Sequence, residues 1–173
     1  DFVEAFFNQG ITFQAQDQLS SAVKSYKDAI TINPDYFEAL NNLGVALNSL
    51  GEIDEAINCY KSAIAIKPDY AEAHNNLGTI FAELKQFKNA EETFKQAILL
   101  NPKYARAHYN LGNTLKDLRK IYEAEESFRK AIVINPNYAE AHNNLGNIMK
   151  SHDRFEDAEA CYRQATALNP EYA

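Results

Sequence analysis

The sequence predicts an all-α solenoid of five antiparallel helix-turn-helix repeats. Three residue types recur at one interval of 34 residues along the chain. Every proline and five of the six glycines keep this interval, and so does one row of tyrosines. The glycines are Gly10, Gly44, Gly78, Gly112 and Gly146, the prolines are Pro34, Pro68, Pro102, Pro136 and Pro170, and the tyrosines are Tyr36, Tyr70, Tyr104, Tyr138 and Tyr172. A fixed period of this length indicates stacked repeats, each of which covers the apolar face of its neighbour.

Each repeat contains two predicted helices. When the recurring glycine is placed at position 8, the repeats span 3–36, 37–70, 71–104, 105–138 and 139–172. The third repeat has apolar or small residues at helical spacing in two separate stretches. The first stretch has Ala73, Leu77, Gly78 and Phe81, and the second has Phe87, Ala90, Phe94, Ala97 and Ile98. We therefore expect two amphipathic helices per repeat and a single array over residues 1–173.

Small and aromatic residues take fixed positions where the two helices of a repeat should cross. The glycine at position 8 and an alanine at position 20 are small, and a Tyr or Phe follows at position 24. Each of these rings contributes roughly 1.5–3 kcal/mol if it is fully buried. The proline then ends the second helix, because it cannot donate a backbone hydrogen bond and biases the preceding residue away from helix. The Asn-Pro step is therefore predicted to form the turn between repeats.

The composition argues against several classes of function. With 46% hydrophobic and 24% charged residues, the chain has the composition of a folded protein. Its formal net charge of −7 would repel a phosphate backbone, which argues against nucleic acid as a partner. No apolar stretch is long enough for a signal peptide or a membrane span. Cys59 and Cys161 have the same phase in repeats about 30 Å apart, too far for a disulfide. Unpaired thiols favour a reducing, cytoplasmic setting.

These spacings resemble a known family. The pattern L-G-x-x-[FLM], then A-x-x-x-[FY]-x-x-A, then a proline is similar to the tetratricopeptide repeat, and the similarity covers residues 3–172. The resemblance implies a right-handed superhelix in which the first helices line a concave groove. It also implies that positions 2, 5, 6, 9 and 12 point into this groove. Gln9 and Thr166 depart from the pattern of the other repeats, and we expect the chain to be a piece of a longer protein.

Asparagine occupies position 6 in all five repeats. Because asparagine is an indifferent helix former, a structural need for this row is not evident, and duplication of the unit is the simpler alternative. A carboxamide offers donors and an acceptor, which matches a peptide backbone unit. With repeats about 10 Å apart and about 3.3 Å per extended residue, one amide would meet about every third residue of a peptide. The predicted row consists of Asn8, Asn42, Asn76, Asn110 and Asn144.

Neighbouring positions complete the predicted peptide-binding site. Position 2 is Glu4 in the first repeat and Arg106 in the fourth, and it is glutamate in the other three. A carboxylate one helical turn before each amide would favour hydroxyl or basic side chains on the ligand. The alternative is that these acids stabilise the helix N-termini. The remaining site residues are Glu38, Glu72 and Glu140 at position 2, Asn41, Asn75, Tyr109 and Asn143 at position 5, and Asn113 and Asn147 at position 9.

A row of histidines invites a metal interpretation, which the predicted geometry disfavours. His74, His108 and His142 share position 4. Two imidazoles on one zinc ion need nitrogen–zinc distances of about 2.0–2.1 Å, whereas their helices should lie about 10 Å apart. We therefore expect these side chains to pack. No nucleophile with a base and an orienting acid can be singled out, so neither catalysis, nor a metal, nor a cofactor is predicted in this segment.

Three functional hypotheses remain. The first is a non-catalytic module that holds an extended segment of a protein partner along the amide row. The second is the substrate-recruiting arm of a larger glycosyltransferase, because AEAHNNLGN at residues 139–147 resembles the repeats of O-linked N-acetylglucosamine transferases. In that family such asparagines hold the backbone of a protein substrate, and the sugar-nucleotide domain would lie outside these residues. The third is end-to-end self-association of the repeats.

Overall fold

The protein is described by a computed structural model over residues 2–172. These residues form ten α-helices and one short 3₁₀-helix without any strand, which confirms the predicted all-α solenoid fold class. They divide into two compact units, of which the first ends at Leu84 and the second begins at Lys85. This division falls inside the third predicted repeat, and the single array over residues 1–173 stays a prediction.

The first unit contains two complete helix pairs and the first helix of a third. Its helices are α1 Phe2–Ala15, α2 Leu19–Ile32, α3 Phe37–Ser49, α4 Ile53–Ile66 and α5 Ala71–Glu83. Helices α1 and α2 pack together, as do α3 and α4, and both α2 and α4 also contact the helix that follows them. The buried apolar residues of this unit form separate clusters. One contains Ala22, Tyr26, Leu43, Ala46, Leu47, Ala56, Tyr60, Leu77 and Ile80, and two smaller ones contain Val3, Ala29 and Ala39, and Leu40, Ala63 and Ala73.

The second unit repeats this arrangement from a different starting helix. Its helices are α6 Phe87–Leu100, α7 Ala105–Asp117, α8 Ile121–Ile134, α9 Ala139–Ser151 and α10 Phe155–Leu168, followed by a 3₁₀-helix at Pro170–Tyr172. Helix α7 pairs with α8 and α9 pairs with α10, while α6 contacts α7 and α8 contacts α9. The largest fully buried side chains of this unit are Phe94, Phe128, Leu115 and Met149.

In four repeats the position-8 glycine lies directly against the aromatic ring at position 24. A Cβ atom added at Gly44 would lie 2.7 Å from Cε1 of Tyr60, and one added at Gly112 would lie 2.7 Å from Cε1 of Phe128. Both rings are almost completely buried. Because even a methyl group would overlap the ring, the glycine fixes how closely the two helices approach. The alanines at position 20 are also buried, which confirms the close crossing predicted for the small residues.

In every repeat a residue with positive φ lies two positions after the last residue of the first helix. Position 15 has φ values between 57° and 82° in all five repeats. Gly51 has the residue type that this left-handed conformation favours most, and aspartate, as in Asp17 and Asp153, also enters it occasionally, whereas Lys85 and Arg119 have no such preference. The following amide then bonds back across the turn, as in the 2.8 Å contact from Lys120 N to Leu115 O. This tight turn starts the second helix at once.

The predicted Asn-Pro turns between repeats are present, and the asparagine has an additional role. Its side-chain oxygen accepts a hydrogen bond from the backbone amide two residues on, for example from Lys103 N to Asn101 Oδ1 at 3.1 Å. The same bond forms at Asn33, Asn135 and Asn169. In the second repeat Lys67 replaces the asparagine, and its Nζ atom instead lies 3.2 Å from Oδ1 of Asp69.

Two buried or half-buried acids connect successive repeats of the second unit. Glu91 at position 21 accepts hydrogen bonds from Lys95 at 2.7 Å and from Lys120 of the next repeat at 2.8 Å. Although burial raises its pKa, the hydrogen bonds from Lys120 and Lys95 outweigh this effect and hold the pKa of Glu91 below its usual value. Glu125 is equivalent to Glu91, and Arg154 of the following repeat lies 3.2 Å from it. Position 16 of one repeat therefore pairs with position 21 of the repeat before.

We expect Gly112→Ala to lower the free energy of unfolding by about 1–3 kcal/mol, because the added methyl group overlaps the ring of Phe128. Urea unfolding followed by circular dichroism measures this loss. Phe128→Leu in the same chain makes room for the methyl group, so the double variant should lose less stability than the sum of the two single variants. Additive losses would contradict the contact.

Candidate functional site

In the first unit the position-6 amides belong to a hydrogen-bonded network. Nδ2 of Asn76 on α5 donates to Oδ1 of Asn41 on α3 at 3.0 Å. Nδ2 of Asn41 donates in turn to Oδ1 of Asn42 at 3.3 Å, and Asn75 donates to Asn76 at 3.5 Å. The Asn42 side chain also hydrogen-bonds the phenol of Tyr26. Burial raises the pKa of this phenol above its usual value, and the hydrogen bond to Asn42 lowers it in part. The amide of one repeat is therefore held by the repeat before it.

The second unit holds its position-6 amide in a similar way. Nδ2 of Asn144 on α9 donates to Oδ1 of Asn113 at 2.9 Å and to the Tyr109 hydroxyl at 3.3 Å, both on α7. The ring of Tyr109 packs on Phe128 and Tyr138, at centroid distances of 5.8 Å and 4.8 Å. Asn147 at position 9 accepts a 2.9 Å hydrogen bond from the Tyr162 hydroxyl. Three of the predicted site residues, Tyr109, Asn113 and Asn144, thus lie together.

The predicted site residues differ in their exposure. Asn75 is completely buried and Asn41 is 5% exposed, so the expectation that position 5 is accessible is wrong for these two residues. Each of these buried amides donates a hydrogen bond to the position-6 asparagine that follows it. Asn8 is exposed, and its side chain makes no hydrogen bond within the part of the chain that the structure describes. The half-buried site residues are Glu38, Asn42, Asn76, Tyr109, Asn110, Asn113, Asn143 and Asn144, whereas Glu72, Glu140 and Asn147 are exposed.

The position-2 carboxylates lie close to the position-34 tyrosines. Burial raises the pKa of Tyr36, and the charges of Glu38 and Glu4 raise it further. In the second unit burial raises the pKa of Tyr138 to about 12, with contributions from Tyr109 and Glu140, while Arg106 acts in the opposite direction. The acids therefore act at the junction between repeats as well as at the helix N-termini, and the sequence pattern alone did not reveal this pairing.

The position-4 histidines bond to the turn between repeats. Nε2 of His74 lies 3.1 Å from the carbonyl oxygen of Pro68, and Nε2 of His108 lies 3.1 Å from that of Pro102. Nε2 of His142 lies 3.0 Å from the carbonyl oxygen of Pro136. Since a carbonyl only accepts, Nε2 carries the proton and donates. Each histidine thus ties its helix to the end of the preceding repeat. Within residues 2–172, no group of three or more histidine, cysteine or acidic side chains is placed to hold a metal ion.

Among the described helices, none combines the length and the apolar character that a membrane crossing requires. Cys59 and Cys161 are free thiols and are half-buried. Burial and the charge of Glu55 raise the pKa of Cys59 to about 11, while Lys27 lowers it in part. The Cys59 thiolate is therefore scarce near neutral pH, which makes this side chain a packing group rather than a nucleophile.

Comparison with known protein families agrees with the repeat geometry. The model of the cilia and flagella-associated protein 70 C-terminal domain, a tetratricopeptide repeat domain, matches residues 11–169. The chain belongs to this tetratricopeptide repeat family. No curated protein sequence matches the chain.

Solved structures of other tetratricopeptide repeat proteins share this fold. MamA residues 41 to the end from Desulfovibrio magneticus RS-1 is 21% identical with a TM-score of 0.83, and the alignment covers 99% of this chain and 97% of that one. Pseudomonas aeruginosa PilF is 22% identical with a TM-score of 0.92, and the alignment covers 97% of this chain and 77% of PilF. YrrB, described as a tetratricopeptide repeat protein with an unusual peptide-binding site, is 21% identical with a TM-score of 0.72. The alignment covers 95% of this chain and 85% of YrrB.

We expect Asn76→Ala to lower the free energy of unfolding by about 1–3 kcal/mol, because it leaves the buried acceptor Oδ1 of Asn41 without its donor. Asn8→Ala is the matched control at the same repeat position and should change stability by less than about 0.5 kcal/mol, since Asn8 is exposed. Chemical denaturation of both variants measures the difference. Equal effects would show that the amide network does not stabilise the fold.

The buried position of His108 leads to a prediction about pH. Burial lowers the pKa of His108, the hydrogen bond to the Pro102 carbonyl partly restores it, and Lys130 lowers it further. An unfolded histidine titrates near about pH 6.5, so acid protonates the unfolded chain first. The free energy of unfolding should therefore fall as the pH drops below that value. His108→Gln should lose less stability than wild type between about pH 7.5 and pH 5.5. Equal losses in the two proteins would rule this out.

Proposed function

We propose that the chain is a non-catalytic protein-interaction module that holds an extended segment of a protein partner against its position-6 amides. The observation that supports this proposal is the hydrogen-bonded fixation of Asn76 and Asn144 by the preceding repeat. A side chain whose rotamer is fixed before binding loses little further conformational entropy when a ligand arrives. Within each unit the amide network is therefore suited to present polar groups to a ligand.

The remaining hydrogen-bonding capacity of the row fits a peptide backbone. Asn144 uses Nδ2 for two donor contacts, and its Oδ1 atom accepts no hydrogen bond from the described residues. That oxygen can accept from a backbone N–H of a ligand. Asn8 has both of its amide groups accessible. Because amides bond to backbone rather than to particular side chains, such a surface would accept many peptide sequences.

The expected affinity is modest. Each hydrogen bond is worth about 0.5–1.5 kcal/mol net, and ordering a flexible peptide offsets much of the sum over the row. Binding in the micromolar range is therefore expected. The description of YrrB as having a peptide-binding site supports the general idea, although at 21% identity the similarity itself concerns the fold.

The other two hypotheses from the sequence are a glycosyltransferase parent and end-to-end self-association. The matched family and the three solved structures give no support to a glycosyltransferase parent, so that alternative stays a prediction from residues 139–147. End-to-end self-association also stays a prediction, and a molecular mass that does not change with protein concentration would exclude it. We further propose a cytoplasmic location, supported by the two free thiols, Cys59 and Cys161.

A substitution series on the amide row tests the proposal. Asn42, Asn76 and Asn110 are replaced by alanine, and binding to an array of unrelated extended peptides is measured. We expect affinity to fall by about tenfold or more, which corresponds to the loss of about 1.4 kcal/mol or more. Circular dichroism at the binding temperature verifies that the variant remains helical, because Asn76 also stabilises the fold.

The matched control removes the same number of amides from exposed positions outside the row. Asn58, Asn89 and Asn137 are exposed and belong to α4, α6 and the turn at Asn135–Pro136. Their replacement by alanine should leave peptide binding unchanged. If the triple variant of the amide row stays helical and binds peptides as tightly as wild type, the proposal is wrong. It is also wrong if the control variant loses as much affinity as the row variant.

A further inference from the structure

A partly exposed aromatic pair lies at the junction of the first two repeats. The rings of Phe7 on α1 and of Tyr36, the residue directly before α3, have centroids 4.9 Å apart and an interplanar angle of 46°. Both side chains are half-buried, so part of each ring is accessible. Phe7 takes position 5, where the other repeats have asparagine or tyrosine. This pair was not among the site residues that the sequence predicted.

Two carboxylates border this aromatic pair. Glu4 lies three residues before Phe7, on the same face of α1, and Glu38 lies in the first turn of α3, two residues after Tyr36. Both charges act on the Tyr36 phenol, since each raises its pKa in addition to the effect of burial. Within the described residues neither carboxylate takes part in an ion pair with a Lys or Arg side chain. We call Glu4, Phe7, Tyr36 and Glu38 the Tyr36 cluster.

The protein itself contains an ammonium group held by the same combination of groups. Nζ of Lys67 lies 5.3 Å from the ring centroid of Phe37 and 3.2 Å from Oδ1 of Asp69. The negative face of the ring and the carboxylate attract the cation together. In the Tyr36 cluster, two rings and two carboxylates are present, and no cation of the described chain occupies the equivalent place.

We propose that the Tyr36 cluster binds the lysine or arginine side chain of an extended segment in the partner protein. Charge complementarity selects this class: two carboxylates repel acidic and phosphorylated segments and attract a cation, while the rings contact its aliphatic stem. This inference rests on the proposed function, because the peptide backbone is taken to lie along the amides. It adds a side-chain preference that those amides cannot supply.

The neighbouring amides are placed to hold the backbone of such a segment. Asn8 follows Phe7 directly on α1, and Asn42 lies four residues after Glu38 on the same face of α3. Glu4, Phe7, Glu38 and both position-6 amides therefore lie on α1 and α3, and Tyr36 directly precedes α3. A backbone that bonds these amides brings its side chains within reach of the carboxylates.

The test compares two peptides with the full chain. The first is a fluorescein-labelled peptide of alanine, serine and lysine, about twelve residues long, with lysine at about every third position. The second is the same peptide with every lysine acetylated, which keeps the stem and removes the charge. Wild type should bind the lysine peptide about tenfold more tightly at low salt, and this preference should shrink as the salt concentration rises.

Variants then assign the preference to the cluster. Glu4→Gln with Glu38→Gln should reduce the preference to about twofold or less, whereas Glu52→Gln with Asp54→Asn removes equal charge from an exposed part of the same unit and should preserve it. Tyr36→Phe keeps the ring face and should also preserve the preference, while Tyr36→Leu should reduce it. Helicity and unfolding midpoints are measured for every variant.

The outcomes separate this inference from the proposed function. If wild type binds both peptides equally, or if the Glu4 and Glu38 double variant keeps the full preference, the Tyr36 cluster does not select cations, although peptide binding stands. If the control pair loses the preference as well, net charge rather than the cluster is responsible, and the inference is wrong. If wild type binds neither peptide at millimolar concentration, the proposed function fails together with this inference.

Discussion

The contact between a glycine and an aromatic ring sets the geometry within a repeat. At Gly44 and Gly112 there is no space for even one additional carbon atom, because the rings of Tyr60 and Phe128 occupy it. The separation of the two helices is therefore fixed by the thickness of a ring. Once that separation is fixed, the opposite face of each first helix is also fixed relative to the helix beside it. The amide network and the histidine bonds both depend on this arrangement.

The polar contacts between repeats are short and specific. They join repeat positions other than those that form the apolar contacts. Asn76 reaches back to Asn41 in the first unit, and Asn144 reaches back to Asn113 in the second. His108 reaches back to the carbonyl of Pro102. Apolar packing tolerates small sliding between helices, whereas hydrogen bonds of about 3 Å do not. These bonds therefore fix the register in which one repeat stacks on the next, and they use side chains that are also candidates for ligand binding.

Most of the fold could be predicted from the sequence, because its strongest signals repeat. The interval of glycines and prolines, with two helices per repeat, predicted the ten helices of the described residues, and helical spacing predicted that Phe94 and Phe128 are buried. The left-handed residues Lys85 and Arg119 could not be predicted, since their side chains carry no turn signal and the fold imposes the conformation. For the site, the asparagine row could be recognised, but the burial of Asn75 could not. Asn75 is fully buried on α5, and one-dimensional spacing does not show which face of a helix meets another.

The acids that link repeats in the second unit limit how this protein can evolve. Glu91 meets Lys120 and Glu125 meets Arg154, so each acid depends on a base encoded about thirty residues later. The second repeat has Glu52 at the position of these bases. A recombination that placed the third repeat directly before the second would set Glu91 against Glu52, two carboxylates in one partly buried place. Although the repeats look interchangeable, the charges at their borders restrict the order in which they can follow one another. A viable rearrangement must move an acid and its base together.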